Sequence, residues 1–184
     1  MSDQLKLAFI GCGAIARFHL DGIKGHVPRV DVTTLVDIDA SKAQAYAKET
    51  GGRAFTSLGD ALAEGDFDAV DILLPHDLHE ASAIQCLEAG KHVLLEKPIA
   101  PTLDACDRIF QVAAQSGCVF MVAENSQYWP EILEAKKHID AGTIGDIITA
   151  RAAFIYPFDE YWFKEARPWR FESGRTGGGI TIDG

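Results

Sequence analysis

The sequence predicts an α/β fold built on a doubly wound parallel sheet. Short apolar runs alternate with helical segments along the first two thirds of the chain. The runs are continuously apolar, which is typical of strands that are buried on both faces of a parallel sheet. A glycine-rich turn joins the first run to the first helix. Right-handed crossovers then leave the doubly wound sheet as the leading topology.

The predicted strands are short and are rich in aliphatic and β-branched residues. They cover residues 5–10, 30–37, 53–56, 68–75, 92–96 and 118–124. The order of these segments, each followed by a helical pattern, is that of repeated strand–helix–strand units.

The predicted helices have recognisable ends. The first follows Gly13, with apolar residues at helical spacing at Ile15, Phe18 and Ile23. Asp39 is the expected N-cap of the second helix, which ends at Gly51, and Ser57 is the expected N-cap of the third. The remaining helices are predicted over residues 78–90 and 102–117.

Composition and charge exclude several classes of protein. The formal net charge of the 184 residues is −10, which disfavours nucleic acid and anionic membrane surfaces as partners. No apolar run approaches the length of a transmembrane helix, and no leader pattern precedes the first strand. The four cysteines form no C-x-x-C pair, so reduced thiols and a cytoplasmic location are expected.

The first motif is the glycine-rich turn, Gly11-x-Gly13-x-x-Ala16. Gly11 permits the tight turn, Gly13 allows the backbone to approach a pyrophosphate, and Ala16 allows close packing of helix and strand. The first helical residues, Ala14 and Ile15, then present unpaired N–H groups to the phosphates. A Rossmann dinucleotide site is the functional interpretation, and a simple tight strand–helix turn is the alternative.

Asp37 ends the second predicted strand, 26 positions after Gly11. A carboxylate there can accept hydrogen bonds from both hydroxyls of the adenosine ribose and would repel a 2′-phosphate. NAD is therefore expected as the cofactor in preference to NADP. The alternative is that Asp37 is only a solvated strand end.

Lys97 follows the fifth predicted strand and emerges at the carboxyl edge of the sheet, where doubly wound folds bind ligands. A partly buried lysine at this place could exchange a proton with a substrate hydroxyl. The alternative is a lysine whose stem packs on apolar surface while its charge pairs with Glu96.

The chain resembles the Gfo/Idh/MocA family, which includes glucose-fructose oxidoreductase and inositol dehydrogenase. The resemblance rests on "GCGAIA", "LVDID", "EAGKHVLLEKPIA", "MVAENSQYWPEILEAKKHIDAGTIGDI" and "GRTGGGITIDG". It implies an NAD(P)-dependent oxidoreductase that acts on a CH–OH group of a sugar, cyclitol or related polyol. It also implies a second α+β domain that is usually used for oligomerisation, so the full-length protein is expected to be a homo-oligomer.

The resemblance also assigns roles to single residues. Lys97 matches the catalytic lysine of the family, whose bond to the following proline is often cis there. Glu96 and Asn125 match positions near the nicotinamide and its ribose. Residues 74–79 match a Thr-Pro-Asn-x-x-His pattern, which makes Leu74, His76 and His79 further candidate cofactor contacts.

His76 departs from that pattern, because asparagine is usual at its position. This departure leaves the contacts of His76 with the cofactor open. A metal site at His76-x-x-His79 is the alternative, and no carboxylate or cysteine cluster in the sequence supports it.

The end of the chain carries a second catalytic candidate. Asp183 matches the aspartate of an Asp-x-x-x-His pair whose histidine is the main proton acceptor in the family, and the chain stops at Gly184. Residues 1–124 are therefore predicted to form the NAD-binding domain and residues 125–184 an incomplete second domain. A fragment of a longer enzyme is the expectation, and a naturally short chain is the alternative.

Residues 125–184 contain two further features. Residues 147–158 are expected to form an apolar strand, and the aromatic stretch at 155–171 suits either a hydroxylated substrate or a buried contact. A non-catalytic dinucleotide-binding sensor is the alternative to an enzyme, although Lys97 favours chemistry because a sensor has no need of a proton-transfer group.

Overall fold

The computed structural model describes residues 4–153 and 168–178. Its centre is one six-stranded sheet with the strand order β3-β2-β1-β4-β5-β6, and every pair of neighbouring strands is parallel. The strands are β1 (Leu5–Ile10), β2 (Val30–Val36), β3 (Arg53–Phe55), β4 (Ala69–Ile72), β5 (His92–Leu95) and β6 (Phe120–Val122). The strand order reverses between β1 and β4, so the predicted doubly wound sheet is confirmed.

The described residues contain seven α-helices, and the first five match predicted helices. They are α1 (Ala14–His26), α2 (Ala40–Thr50), α3 (Leu58–Glu64), α4 (His79–Glu88), α5 (Leu103–Ser116), α6 (Pro130–Asp140) and the four-residue α7 (Ser173–Thr176). The predicted caps are present, because Asp39 accepts a hydrogen bond from Ser41 N–H and Ser57 accepts one from Asp60 N–H. Gly51 ends α2 with a φ of 76°, in the left-handed region that favours glycine.

Two apolar cores lie against the sheet. One joins α1 and α2 to β1 and β2 and includes Phe9, Leu20 and Leu35. The other joins α3, α4 and α5 to β4 and β5 and includes Leu87 and Ile109. Helices therefore cover both faces of the sheet, which explains why the strand sequences are continuously apolar.

The predicted apolar face of α1 is confirmed in part, because Ile15 and Ile23 pack against the core but Phe18 does not. Phe18 is 60% exposed, whereas Ala16 and Leu20 are the buried residues of the helix. The reason is that the short side chain of Ala16 allows α1 to lie close to the sheet. Leu20, one turn later, then continues the contact surface.

The segment after β6 departs further from the sequence prediction. No strand is assigned to residues 147–153, and these residues are exposed, so the strand expected over 147–158 is wrong for its described part. The rest of that segment lies outside the described residues. Among the described residues no neighbouring strand beyond β6 offers backbone groups for pairing, and β-propensity alone does not form a strand.

Candidate active site at the carboxyl edge of the sheet

The glycine-rich loop connects β1 to α1 at the carboxyl edge of the sheet. Gly11 has a φ of 102°, and its N–H donates to the carbonyl of Val36 over 2.8 Å. A Cβ atom at Gly11 would lie 2.6 Å from the carbonyl oxygen of Leu73 on the segment after β4. Both the backbone conformation and this close approach require glycine.

Gly13 is the N-cap of α1, and its surroundings are open. A Cβ atom at Gly13 would meet nothing within 4 Å. No side chain caps the helix, and its first turn, which begins with Ala14 and Ile15, contains no acidic residue. The free N–H groups and the positive end of the helix dipole therefore face an open space that suits an anion such as a pyrophosphate.

Asp37 lies at the carboxyl end of β2 and is bonded to the glycine-rich loop. Its Oδ2 accepts a hydrogen bond from Cys12 N–H over 2.8 Å, and its Oδ1 accepts one from Asp39 N–H over 2.9 Å. The residue is half-buried. Since each carboxylate oxygen has two lone pairs, both oxygens can accept a further hydrogen bond from a ligand hydroxyl.

The segment after β4 packs against the same loop. The side chain of Leu74 lies 3.2 Å from where a Cβ of Gly11 would be. The buried imidazole of His79 connects this segment to the one after β5, because Nδ1 lies 2.9 Å from the carbonyl oxygen of Pro98 and Nε2 lies 2.9 Å from that of Leu74. Burial lowers the pKa of His79 below its usual value.

His76 is buried beside His79 and contacts a distant part of the chain. Its ring packs edge-on against Trp169, with 4.6 Å between the ring centroids. An ion pair between Asp77 Oδ2 and Arg175 Nε, 3.1 Å apart, joins the same two segments. Part of the second predicted domain, residues 168–178, therefore lies against the first one at this edge of the sheet.

The metal interpretation of His76 and His79 is disfavoured by these contacts. Both ring nitrogens of His79 face backbone carbonyls, so a metal ion could bind His79 only at the expense of those contacts. Within residues 4–153 and 168–178 no group of three or more His, Cys, Asp or Glu side chains is arranged so that it could hold a metal ion. The same ranges contain no helix of the length and apolarity that crossing a membrane requires.

Lys97 follows β5, as the sequence predicts, and its peptide bond to Pro98 is cis. The Oε2 atom of Glu96 accepts a hydrogen bond from Lys97 N–H over 2.9 Å. Hydrogen bonds from Ser126 lower the pKa of Glu124, and the charge of Lys97 lowers it further, so Lys97 lies near the end of β6 as well. Asn125 follows Glu124 and is exposed.

An ionic cluster that is mostly buried and that reaches the backbone of Lys97 through Glu96 was not predicted. The ring of His19 on α1 lies between two carboxylates, with Nδ1 2.7 Å from Asp71 Oδ2 and Nε2 3.0 Å from Glu96 Oε1. Burial lowers the pKa of His19, but the two hydrogen bonds outweigh it and raise that pKa to about 10. Asp71 is the one charged residue of β4, and a carboxylate inside an apolar strand is a signal that a buried partner exists.

The predicted site residues thus converge at one edge of the sheet. The glycine-rich loop, Asp37, Leu74 and Lys97 come from the carboxyl ends of β1, β2, β4 and β5, respectively. Asp183 lies outside the described residues, as does the aromatic stretch before Pro168.

Comparisons with known proteins agree with this arrangement. The family model GFO_IDH_MocA, described as an oxidoreductase family with an NAD-binding Rossmann fold, matches residues 5–124. Inositol 2-dehydrogenase of Corynebacterium glutamicum is 30% identical over 159 residues, which are 85% of this chain and 47% of that protein.

Two solved structures are similar as well. The WlbA dehydrogenase of Bordetella pertussis, in complex with NADH and UDP-GlcNAcA, is 31% identical and superimposes with a TM-score of 0.74 over 77% of this chain and 43% of that one. The scyllo-inositol dehydrogenase of Lactobacillus casei, with bound NAD(H) and scyllo-inositol, is 28% identical, with a TM-score of 0.74 over 78% and 43% of the two chains. The chain spans about half the length of the relatives it matches.

Proposed function

The chain belongs to the GFO_IDH_MocA oxidoreductase family with its NAD-binding Rossmann fold, and on that premise we propose that the protein transfers hydride between a secondary alcohol and NAD. The proposed substrate class is a sugar, a cyclitol or a related polyol. The similar protein of Corynebacterium glutamicum is named an inositol 2-dehydrogenase, and the similar Lactobacillus casei structure contains scyllo-inositol. The observation that carries the proposal is the meeting of the glycine-rich loop, Asp37 and Lys97 at one edge of the sheet.

The described residues fit the cofactor in two respects. The open space at Gly13 and the uncapped start of α1 would hold the pyrophosphate. Asp37, already fixed to the loop, would accept the two hydroxyls of the adenosine ribose, and its charge would oppose the 2′-phosphate of NADP. These two features support NAD as the cofactor.

The nicotinamide end would lie near the carboxyl ends of β4 to β6. Leu74, His76 and His79 border this region on one side, and Glu96, Lys97 and Asn125 border it on the other. A bound nicotinamide supplies the carbon that accepts the hydride.

Lys97 is proposed to assist removal of the hydroxyl proton. As the carbinol carbon gives up its hydride, the hydroxyl oxygen becomes a carbonyl oxygen and its proton passes to the Lys97 amine. Lys97 follows a buried strand, and its backbone N–H is held by the Glu96 carboxylate, so the backbone that carries the amine is fixed before a substrate binds. Asp183, which lies outside the described residues, is proposed to orient the histidine of the family's Asp-x-x-x-His pair.

The proposal is tested on the complete protein with a polyol panel that includes the inositols, together with calorimetric titration of NAD. We expect Lys97→Ala to lower kcat by about 100-fold and to leave the Kd for NAD within about twofold, because proton transfer is lost and the pyrophosphate site is intact. The matched control is Lys48→Ala, which removes an exposed lysine from α2 and should change neither value.

Two results would contradict the proposal in different ways. Wild-type turnover by Lys97→Ala would remove Lys97 from the chemistry. Tight NAD binding without turnover of any polyol would favour the dinucleotide-binding sensor.

A further inference from the structure

The His19 cluster has a defined geometry. It consists of His19, Asp71 and Glu96, which come from α1, β4 and the end of β5. The three side chains are 18%, 1% and 15% exposed, respectively. Both ring nitrogens of His19 lie within hydrogen-bond distance of a carboxylate oxygen, at 2.7 and 3.0 Å. Carboxylates only accept hydrogen bonds, so the ring satisfies both of them only as an imidazolium that donates from each nitrogen.

The cluster continues to Lys97. Glu96 uses Oε1 for His19 and Oε2 for the backbone N–H of Lys97, so both of its carboxylate oxygens are held. A rotation of the Glu96 carboxylate would therefore break one of these hydrogen bonds. Asp71 anchors the other side of the imidazolium from β4, where its side chain is fully buried.

We propose that His19 is a positioning residue for the reaction: as an imidazolium it fixes the Glu96 carboxylate and offsets part of the charge that Glu96 and Asp71 carry, and Glu96 in turn fixes the backbone at Lys97. The inference rests on the proposed function, because it assigns to Lys97 the proton transfer described above. His19 itself touches neither substrate nor cofactor in this role.

The charges around Lys97 determine what removal of His19 does. Glu96 follows β5, Glu124 follows β6 and Asp71 lies in β4, while His79 is buried on α4, where burial lowers its pKa. His19 is the cation that offsets Asp71 and Glu96. Without it their uncompensated negative charge favours the protonated form of the Lys97 amine. Alcohol oxidation needs the unprotonated amine, so the reaction would require a higher pH.

The test compares three variants of the complete protein. His19→Gln keeps a hydrogen-bond donor of similar reach but removes the charge, His19→Lys restores a charge, and His26→Gln changes an exposed histidine of the same helix. For His19→Gln we expect the acid limb of the kcat profile to move up by about one pH unit. We expect kcat at pH 7 to fall about tenfold and the Kd for NAD to stay within about twofold.

His19→Lys should bring the acid limb most of the way back to its wild-type position, and His26→Gln should leave it at that position. If His19 only filled space, the acid limb of the kcat profile would lie at the wild-type position in both His19→Gln and His19→Lys. In the wild-type protein, nitrogen-15 NMR of labelled histidines should show His19 with both ring N–H protons retained at pH 8.

The outcomes separate this inference from the proposed function. A His19→Gln profile that superimposes on that of the wild type, or a His19 ring that titrates near pH 6.5, overturns the positioning role even if Lys97→Ala is inactive. Failure of the wild type to bind NAD or to oxidise a polyol contradicts the proposed function instead. If His19→Gln does not fold, the NMR titration of the wild type still decides the protonation state on which the role depends.

Discussion

Asp37 joins local structure to cofactor choice. Its carboxylate accepts hydrogen bonds from the N–H groups of Cys12 and Asp39, so the glycine-rich loop itself holds it in place. A pre-positioned carboxylate binds ligand hydroxyls without the entropic cost of ordering the side chain.

We expect NAD to bind at least tenfold more tightly than NADP, a difference of about 1.4 kcal/mol. Asp37→Asn should reduce this preference, because the amide keeps an acceptor for one backbone N–H group and no longer repels a 2′-phosphate. Calorimetric titration of both cofactors measures the ratio, with Asp31→Asn on the same strand as the exposed control. Equal or tighter binding of NADP by the wild type would remove Asp37 from this role.

Gly11 and Gly13 make a matched pair for separating folding from binding. Gly11→Ala places a Cβ 2.6 Å from the carbonyl oxygen of Leu73 at a φ of 102°, and should destabilise the fold by about 1–3 kcal/mol. Gly13→Ala adds a Cβ in open space, so Tm should change little while NAD binding weakens, since the Cβ occupies the proposed pyrophosphate position. Thermal unfolding and NAD titration of both variants test this, and undiminished NAD binding by Gly13→Ala would contradict the placement of the pyrophosphate.

At the scale of the elements, the His19 cluster joins α1 to β4 and to the end of β5, and this contact depends on pH. The pKa of His19 is about 10 in the folded protein, above the 6.5 of an ordinary histidine. The stabilisation is therefore fully present below about pH 6.5 and is lost as pH rises towards 10.

We expect the free energy of unfolding to fall by about 2 kcal/mol between pH 6.5 and 8.5, and to fall much less in His19→Gln. The range stops at pH 8.5 because two cysteines also affect stability at higher pH. Burial raises the pKa of the Cys12 and Cys86 thiols to about 12, so their ionisation in the unfolded chain lowers the free energy of unfolding further at higher pH. Urea unfolding at several pH values measures the difference. A variant that loses as much stability as the wild type would show that His19 is not the group responsible.

The element order was predictable because its signals are local. Asp39 and Ser57 each accept a hydrogen bond from a backbone N–H two or three residues later, and a motif of that length can be recognised in the sequence. The exposure of Phe18 on α1 was not predictable, since its spacing fits a buried stripe as well as that of Leu20, and only packing against the sheet decides between them.

Part of the candidate site was predictable from the sequence and part was not. Gly11, Asp37 and Lys97 stand at strand ends, and a parallel sheet brings such ends together. The His19 cluster joins residues that are 52 and 77 positions apart, and no local pattern specifies such contacts. The apolar run that contains Ile148 is a local pattern that misled the prediction. The run has no pairing partner among the described strands, and Ile148 is 97% exposed.

At the scale of the whole molecule, burial is unevenly distributed. The sheet and helices α1 to α5 enclose two cores, whereas α6 has no buried residue. Apolar side chains at helical spacing on α6 and at its N-cap form what we term the α6 patch: Trp129, Ile132, Leu133 and Ile139, each 39–49% exposed. An apolar stripe of this kind on a helix is typical of a surface that packs against another element.

We therefore expect this 184-residue chain to self-associate with rising concentration through the α6 patch. Burial of four large apolar side chains against a second copy would remove their surface from water, at about 25 cal/mol per Å². Ile132→Glu combined with Leu133→Glu should lower the association measured by light scattering and sedimentation, and Glu131→Gln is the polar control on the same helix. NAD affinity should be unchanged in both, because α6 contributes none of the groups assigned to the cofactor. A monodisperse monomer at all concentrations, or association that persists in the double variant, would show that the α6 patch is not the contact surface.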